Sequence, residues 1–223
     1  MTRGEMRAWI RRQAREMSAV AVTDAELNLY VDEAYEDIAA RTACLRRDVE
    51  VTVSAATDVV KLPQYVTAVI QSQIKNSTPL LTARATDLES LLGTDWRTAS
   101  GTIQYILPLG PATFRVVPLP SGTTVLEFYS AVVPAKAAAS GPITFLVADG
   151  EEPQIPSAFH IALPYFVMRE ISIRDATNPE QQRRASEYAA LYAASLETLR
   201  ASTATLEGGI ISLPILGPPQ AGA

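Results

Sequence analysis

One cysteine and one histidine stand in a chain of 223 residues. Cys44 alone closes no intrachain disulfide, which fits a chain made in a reducing compartment. Cys44 and His160 together fall short of the thiolate and imidazole sets that hold zinc. Charge is scarce as well: charged residues make up 19% and the net charge is −5. The basic excess of a duplex-binding protein is therefore missing. No apolar run approaches the roughly 20 residues that span a bilayer; the longest, Phe159 to Val167, holds Pro164. Met1 to Met17 carries arginines throughout and no apolar centre, so it does not read as a secretory signal. There is no glycine-rich phosphate loop, no G-x-S-x-G, no H-E-x-x-H and no internal repeat. No cofactor, no metal, no membrane contact and no catalytic activity are expected.

What is present is a core-forming pattern of mixed class. A chain near this length hides about 70% of its unfolded surface, as one large domain or a domain with an inserted lobe. Met6, Trp9, Ile10, Ala14 and Met17 recur at helical spacing from Arg3 to Met17. Thr23-Asp24-Ala25-Glu26 is a capping box, opening a helix to Ala43 with Leu27, Tyr30, Val31, Ala34 and Ile38 inward. The middle then alternates. Strands are expected over Val49 to Val53, Val59 to Leu62, Val66 to Ile74, Thr102 to Leu107, Thr113 to Val117 and Thr123 to Val132, in an antiparallel sheet or small barrel. A short helix opens at a second box, Thr86-Asp87-Leu88-Glu89. Pro134 to Pro153 reads as a long loop with at most a short strand at Ile143 to Val147. Helices return from Pro156, with Pro164 as an expected kink, and from Asn178-Pro179 to Ala201. The fold class is α+β: terminal helices (1–47 and 154–206) form a bundle, 48–153 is an inserted β-rich lobe, and 207–223 is an extended tail.

Few residues invite chemistry. Arg3, Arg7, Arg11 and Arg15 recur every four residues as a cationic stripe. It suits an acidic partner or DNA phosphates; a solvated face with arginine stems covering apolar surface is the plainer account. His160 has the right pKa for a general base, but nothing nearby in sequence offers a nucleophile, so a structural role is favoured. Cys44 reads as a packing residue. Asp149-Gly150-Glu151-Glu152 lacks the ligand spacing of a calcium loop and reads as a solvated turn. Asp95-Trp96-Arg97 reads as a turn closed by a packed tryptophan. A hydrolase built on Asp95 with Glu89, or on Asp149, is the enzymatic alternative; a DNA-binding module on the arginine stripe is the other.

The last segment carries more. Ile210, Ile211, Leu213, Ile215 and Leu216 lie beyond the last helix. Burying each contributes about 1.5–3 kcal/mol, against about 1–2 kcal/mol per residue for ordering the backbone. One tail is thus weak glue, while many tails held by one ring bind through effective concentration. These five residues and the four arginines are the candidate docking groups.

The order of elements resembles the head-to-tail adaptor (connector) proteins of tailed phages. The resemblance rests on Thr23-Asp24-Ala25-Glu26-Leu27 through Tyr30, Ala34 and Ile38-Ala39-Ala40-Arg41-Thr42. It continues at Leu62-Pro63, Asp95-Trp96-Arg97, Gly101, Tyr105 and Arg115-Val116-Val117-Pro118-Leu119-Pro120. The closest match is Ile155-Pro156-Ser157-Ala158-Phe159-His160-Ile161-Ala162-Leu163; Pro164 departs from a smoothly helical version of it. The resemblance covers most of residues 20–200. It implies a subunit made in the host cytoplasm and placed in the virion at the head–tail interface. There it would form a twelve-fold ring with neighbouring copies, bind the portal protein and a downstream tail or nozzle protein, and pass DNA without sequence-specific contact.

Overall fold

The computed structural model describes residues 1–16, 22–110, 112–134, 143–174 and 178–206. The side chain of Arg15 and the tail residues Ile210, Ile211, Leu213, Ile215 and Leu216 lie outside the described residues. In chain order the elements are α1 (Arg3–Glu16), α2 (Asp24–Thr42), β1 (Arg46–Val53), β2 (Val59–Lys61), β3 (Val66–Ile74), β4 (Leu81–Thr82), α3 (Ala85–Leu92), β5 (Ser100–Gly101), β6 (Tyr105–Gly110), β7 (Thr113–Val117), β8 (Leu119–Pro120), β9 (Thr124–Val132), α4 (Ala162–Arg174) and α5 (Pro179–Leu206). The class is α+β. Two compact units form: one joins Met1–Leu45 to the chain from Val133 through α5, and the other is built on Arg46–Val132.

In the helical unit, α2 starts where its capping box places it. Thr23 Oγ1 accepts from the Glu26 amide at 3.2 Å, and Glu26 Oε2 accepts from the Thr23 amide at 2.8 Å. It stops at Ala43, which takes a left-handed φ of 50° and ends the run of helical hydrogen bonds. Leu27, Val31, Ala34 and Ile38 are buried. The centre of the unit is α4, which packs against α1, α2 and α5. Its apolar residues cover nearly all faces because three helices surround it. Pro164 does not kink this helix. The chain from Pro156 makes only a 3-10 turn at Ser157–Phe159, and α4 begins at Ala162. Pro164 therefore sits in the first turn, where its missing amide has no helical partner to lose. Asn178 caps α5 through its Oδ1, which accepts from the Glu180 amide at 2.9 Å.

The β unit holds a three-stranded sheet, β1-β9-β3, and a four-stranded sheet, β2-β7-β6-β4; β5 and β8 pair as a short parallel ladder. β9 is central to the first sheet and antiparallel to both neighbours. β3 pairs with it through two register irregularities, Val66/Ala68 and Val69/Gln71. Alternation buries Val49 and Val53 of β1 and Leu126, Phe128 and Ser130 of β9. Phe128 stacks on Phe114 of β7 with ring centroids 5.8 Å apart, so the inner faces of the two larger sheets share one core. A second cluster gathers Ala83, Leu88, Trp96 and Val117. Trp96 is 2% exposed and closes the turn at Asp95, whose carbonyl accepts from Thr98 and Ala99.

Two local expectations differ. The second capping box does not form at Thr86. α3 opens at Ala85, because the Asp87 carboxylate reaches back to the Arg84 amide at 3.2 Å and stabilises an earlier start. Ile143 to Val147 belongs to no strand of the named sheets. The stretch 143–153, read from sequence as the end of the β lobe, is held by α1 in the helical unit.

Candidate docking surface

The arginine stripe of α1 lies along the residues 143–152 and α2. Arg3 is 7% exposed. Its Nη1 donates to the carbonyls of Leu146 and Val147, and Nη2 lies 3.5 Å from Asp32 of α2. Arg7 pairs with Asp149 at 2.5 Å, and Arg11 with Asp24 at 2.5 Å. Arg3, Arg7 and Arg11 thus each hold a carboxylate of their own chain, because spacing by four keeps one helix flank facing one surface. Arg3 and Arg7 are drawn inward, which the solvated-face account did not anticipate.

The start of α1 shows why residues 143–152 take this place. The amides of Arg3 and Gly4 have no helical partner, and they donate to the carbonyls of Glu151 and Asp149, each at 2.9 Å. A side-chain box adds to this: Thr2 donates from its amide to Glu5 Oε2 at 2.8 Å, and Thr2 Oγ1 accepts from the Glu5 amide at 3.2 Å. Gly4 suits the close approach, since a Cβ there would sit a tight 3.2 Å from the Asp149 carbonyl oxygen. Glu151 folds back on its own turn and accepts from the amides of Val147 and Ala148. Those backbone donors hold its carboxyl below the usual glutamate range. The Arg11 guanidinium lowers Asp24 in the same direction, by hydrogen bonding first and by charge second. Asp149-Gly150-Glu151-Glu152 is therefore a cap for α1. No group of acidic, histidine or cysteine residues fit to hold a metal ion occurs among the described residues.

His160 is 2% exposed in the turn before α4. Its Nε2 lies 2.9 Å from the Ile155 carbonyl, and its Nδ1 accepts from the Met1 amino nitrogen at 2.7 Å. Both ring nitrogens are engaged, so the residue pins the turn to the chain start and has no lone pair free for a general base. Cys44 is half-buried. Asp95 and Glu89 are exposed on the surface of the β unit, and Asp149 is held by Arg7.

Two features were not legible as sites. On one flank of the helical unit, Trp9, Tyr165 and Tyr188 form an aromatic row across α1, α4 and α5, with centroid distances of 6.0 Å and 6.2 Å. All three are only half-buried. On α2, a groove of about 420 Å³ is lined by Leu29, Asp32, Glu33, Glu36 and Leu146, with Val147 at its rim. Leu29 is 57% and Val147 73% exposed. No sequence period links residue 29 with residue 147, so only the fold joins them.

The model of the SU10 adaptor protein family matches residues 1–210. The chain belongs to this family. A search of curated proteins returned no match. The match spans both folded units and agrees with the resemblance to phage head-to-tail adaptors, a family of structural rather than catalytic proteins. No helix among the described residues is long and apolar enough to cross a membrane.

Proposed function

We propose that the chain is one subunit of an adaptor ring that docks beneath the portal, joins the capsid to the tail and continues the DNA channel. Membership of the adaptor family over residues 1–210 carries this reading. The polar groups support it. Arg3, Arg7, Arg11 and His160 hold the fold together, and large apolar side chains such as Leu29, Val147, Ile173 and Leu191 remain at the surface of the helical unit. Contacts between protein copies use such apolar surface. Twelve copies, a portal on one side and a tail or nozzle protein on the other complete the assembly, which forms at the head–tail interface of the virion from chains made in the host cytoplasm. The apolar tail residues Ile210, Ile211, Leu213, Ile215 and Leu216 are its docking groups, effective because many copies present them together.

The test is the mass of the purified chain alone and after mixing with portal rings. A complex with a fixed number of copies per portal is expected. Removing Gly208 to Ala223 is expected to leave the circular dichroism spectrum unchanged and to weaken docking at least tenfold. A full-length chain that never associates with portal rings overturns the reading. The DNA-binding alternative has no specific support, because Arg3, Arg7 and Arg11 already neutralise Asp32, Asp149 and Asp24; salt-dependent duplex binding at low ionic strength is its signature.

A further inference from the structure

The β unit carries a groove of about 640 Å³ lined by residues of both larger sheets. Leu80, Ile106 and Phe114 line it as buried residues, and Val69, Ile70 and Pro108 as half-buried ones. The charged residues at its lining, Arg84 and Asp87, carry opposite signs, so among the described residues the groove has no net charge. β3 borders it and is an edge strand: β9 lies on one side, and no strand lies on the other among the described residues. At Ser72 that edge is closed, since the Ser72 carbonyl accepts from the Leu80 amide at 2.8 Å. Residues 69–71, which line the groove, come before this closure. An edge strand takes up an extended segment through backbone hydrogen bonds, and a groove beside it takes alternate side chains.

The described chain ends at Leu206 of α5, and residues 207–223 follow. From Gly208 to Ala223 there is no charged side chain, and Ile210, Ile211, Leu213, Ile215 and Leu216 are aliphatic. In an extended chain Ile211, Leu213 and Ile215 share one side, with Ser212 and Pro214 on the other. Pro214 donates nothing to a sheet, which suits an added outermost strand. Fully extended, the chain from Leu206 reaches about 33 Å at Leu216. That is close to the roughly 30 Å width of a compact unit of about 90 residues, so an abutting copy is within reach. The groove on α2 offers the exposed carboxylates of Glu33 and Glu36 instead, and this segment has no cation to pair with them.

We propose that the groove of the β unit receives residues 210–216 of the next copy, with Ile211, Leu213 and Ile215 entering it beside the open edge of β3. Three observations support this occupant: the length of chain that follows α5, its aliphatic content, and its lack of charge. A charged segment entering an apolar groove would lose water without gaining a partner; this one has no charged side chain to desolvate. Segment and groove are different patches, so the contact is head-to-tail. It repeats from copy to copy and closes into a ring when the rotation per step allows, whereas a self-complementary patch stops at a dimer. Each link is weak alone and gains from the others once many copies are held together. The choice of the next copy, rather than the segment's own chain, rests on the adaptor-ring reading and gives that ring its link.

The test uses full-length chains assembled on portal rings. Gln71→Cys and Leu213→Cys are placed on separate chains in a Cys44→Ser background, mixed with the rings and mildly oxidised. A disulfide joining one chain of each kind is expected, read by mass. Independently, Leu213→Asp/Ile215→Asp in the segment and Ile70→Asp in the groove are each expected to raise the concentration needed for half-assembly at least tenfold. The first pair lies beyond the last helix, so its circular dichroism and melting should match the wild type even where Ile70→Asp lowers stability. An intrachain disulfide in a chain carrying both cysteines, without the interchain one in the mixture, assigns the groove to the chain's own segment and overturns the proposal. Loss of assembly in Ile70→Asp with no disulfide of either kind gives the groove to another partner and overturns it as well. Wild-type rings with unimpaired Leu213→Asp/Ile215→Asp assembly overturn the link and leave the ring standing. Failure of the wild type to assemble on portal rings overturns both.

Discussion

At the residue scale the most consequential side chain is Arg3. It bonds two carbonyls of residues 146 and 147, faces Asp32, and its amide helps close the helix start on Glu151. Breaking a buried ion pair costs about 3–5 kcal/mol. Asp32 retains 25% of its side-chain exposure, so water relieves part of that cost. Arg3→Met, which keeps the apolar stem, is expected to cost about 3 kcal/mol, read as a lower denaturant midpoint with an unchanged slope. If Arg3 were a solvated surface cation, the same substitution would change stability by no more than about 0.5 kcal/mol. Tyr192 works in the same unit by a different route. It is buried and donates to Asp37 at 2.6 Å, and burial first, then that bond, push its pKa well above the usual tyrosine range. A neutral hydroxyl here joins α5 to α2 without placing a further charge in the packing.

At the element scale, legibility followed local physics. The α2 capping box, the Asn178-Pro179 start of α5 and the strands β3 and β7 could be read directly, because each depends on a few adjacent residues and one period. The fate of Pro164 could not. A proline inside a long apolar run reads as a kink when the helix is taken to begin at Pro156. His160 holds that stretch as a turn through the nearby Ile155 carbonyl and through the amino nitrogen of Met1, and the second partner comes from the far end of the chain. The arginine stripe was visible as a pattern, but its partners Asp32 and Asp149 come from distant parts of the chain. The groove beside Leu29 and the aromatic row of Trp9, Tyr165 and Tyr188 were hidden for the same reason. Pro164→Ala distinguishes the two helix starts. With proline in the first turn, its fixed φ restricts mainly the unfolded chain, so the substitution is expected to lower stability by about 0.4–1 kcal/mol. A mid-helix proline would give the opposite sign, with a gain approaching about 3 kcal/mol. Chemical denaturation of the two proteins settles the sign.

At the scale of the whole molecule, the chain leaves the helical unit at Leu45 and re-enters it at Val133. Between those points the β unit is contiguous, and its first and last strands are neighbours: Arg46 lies opposite Ala131 and Val53 opposite Thr124. Paired residues on antiparallel strands stand about 5 Å apart. The helical unit therefore needs no long span to be bridged by its insert. A fragment covering Arg46–Val132 is expected to fold alone, with a β-type circular dichroism spectrum and a cooperative melt, because its strands and the Phe114–Phe128 core all come from within that range. A featureless spectrum with no transition would contradict this. The side-by-side entry and exit also make this region a replaceable cartridge. Over evolutionary time, any domain whose two ends leave as adjacent antiparallel strands fits the same socket, so lineages can exchange what the insert presents while the helices that receive it stay as they are.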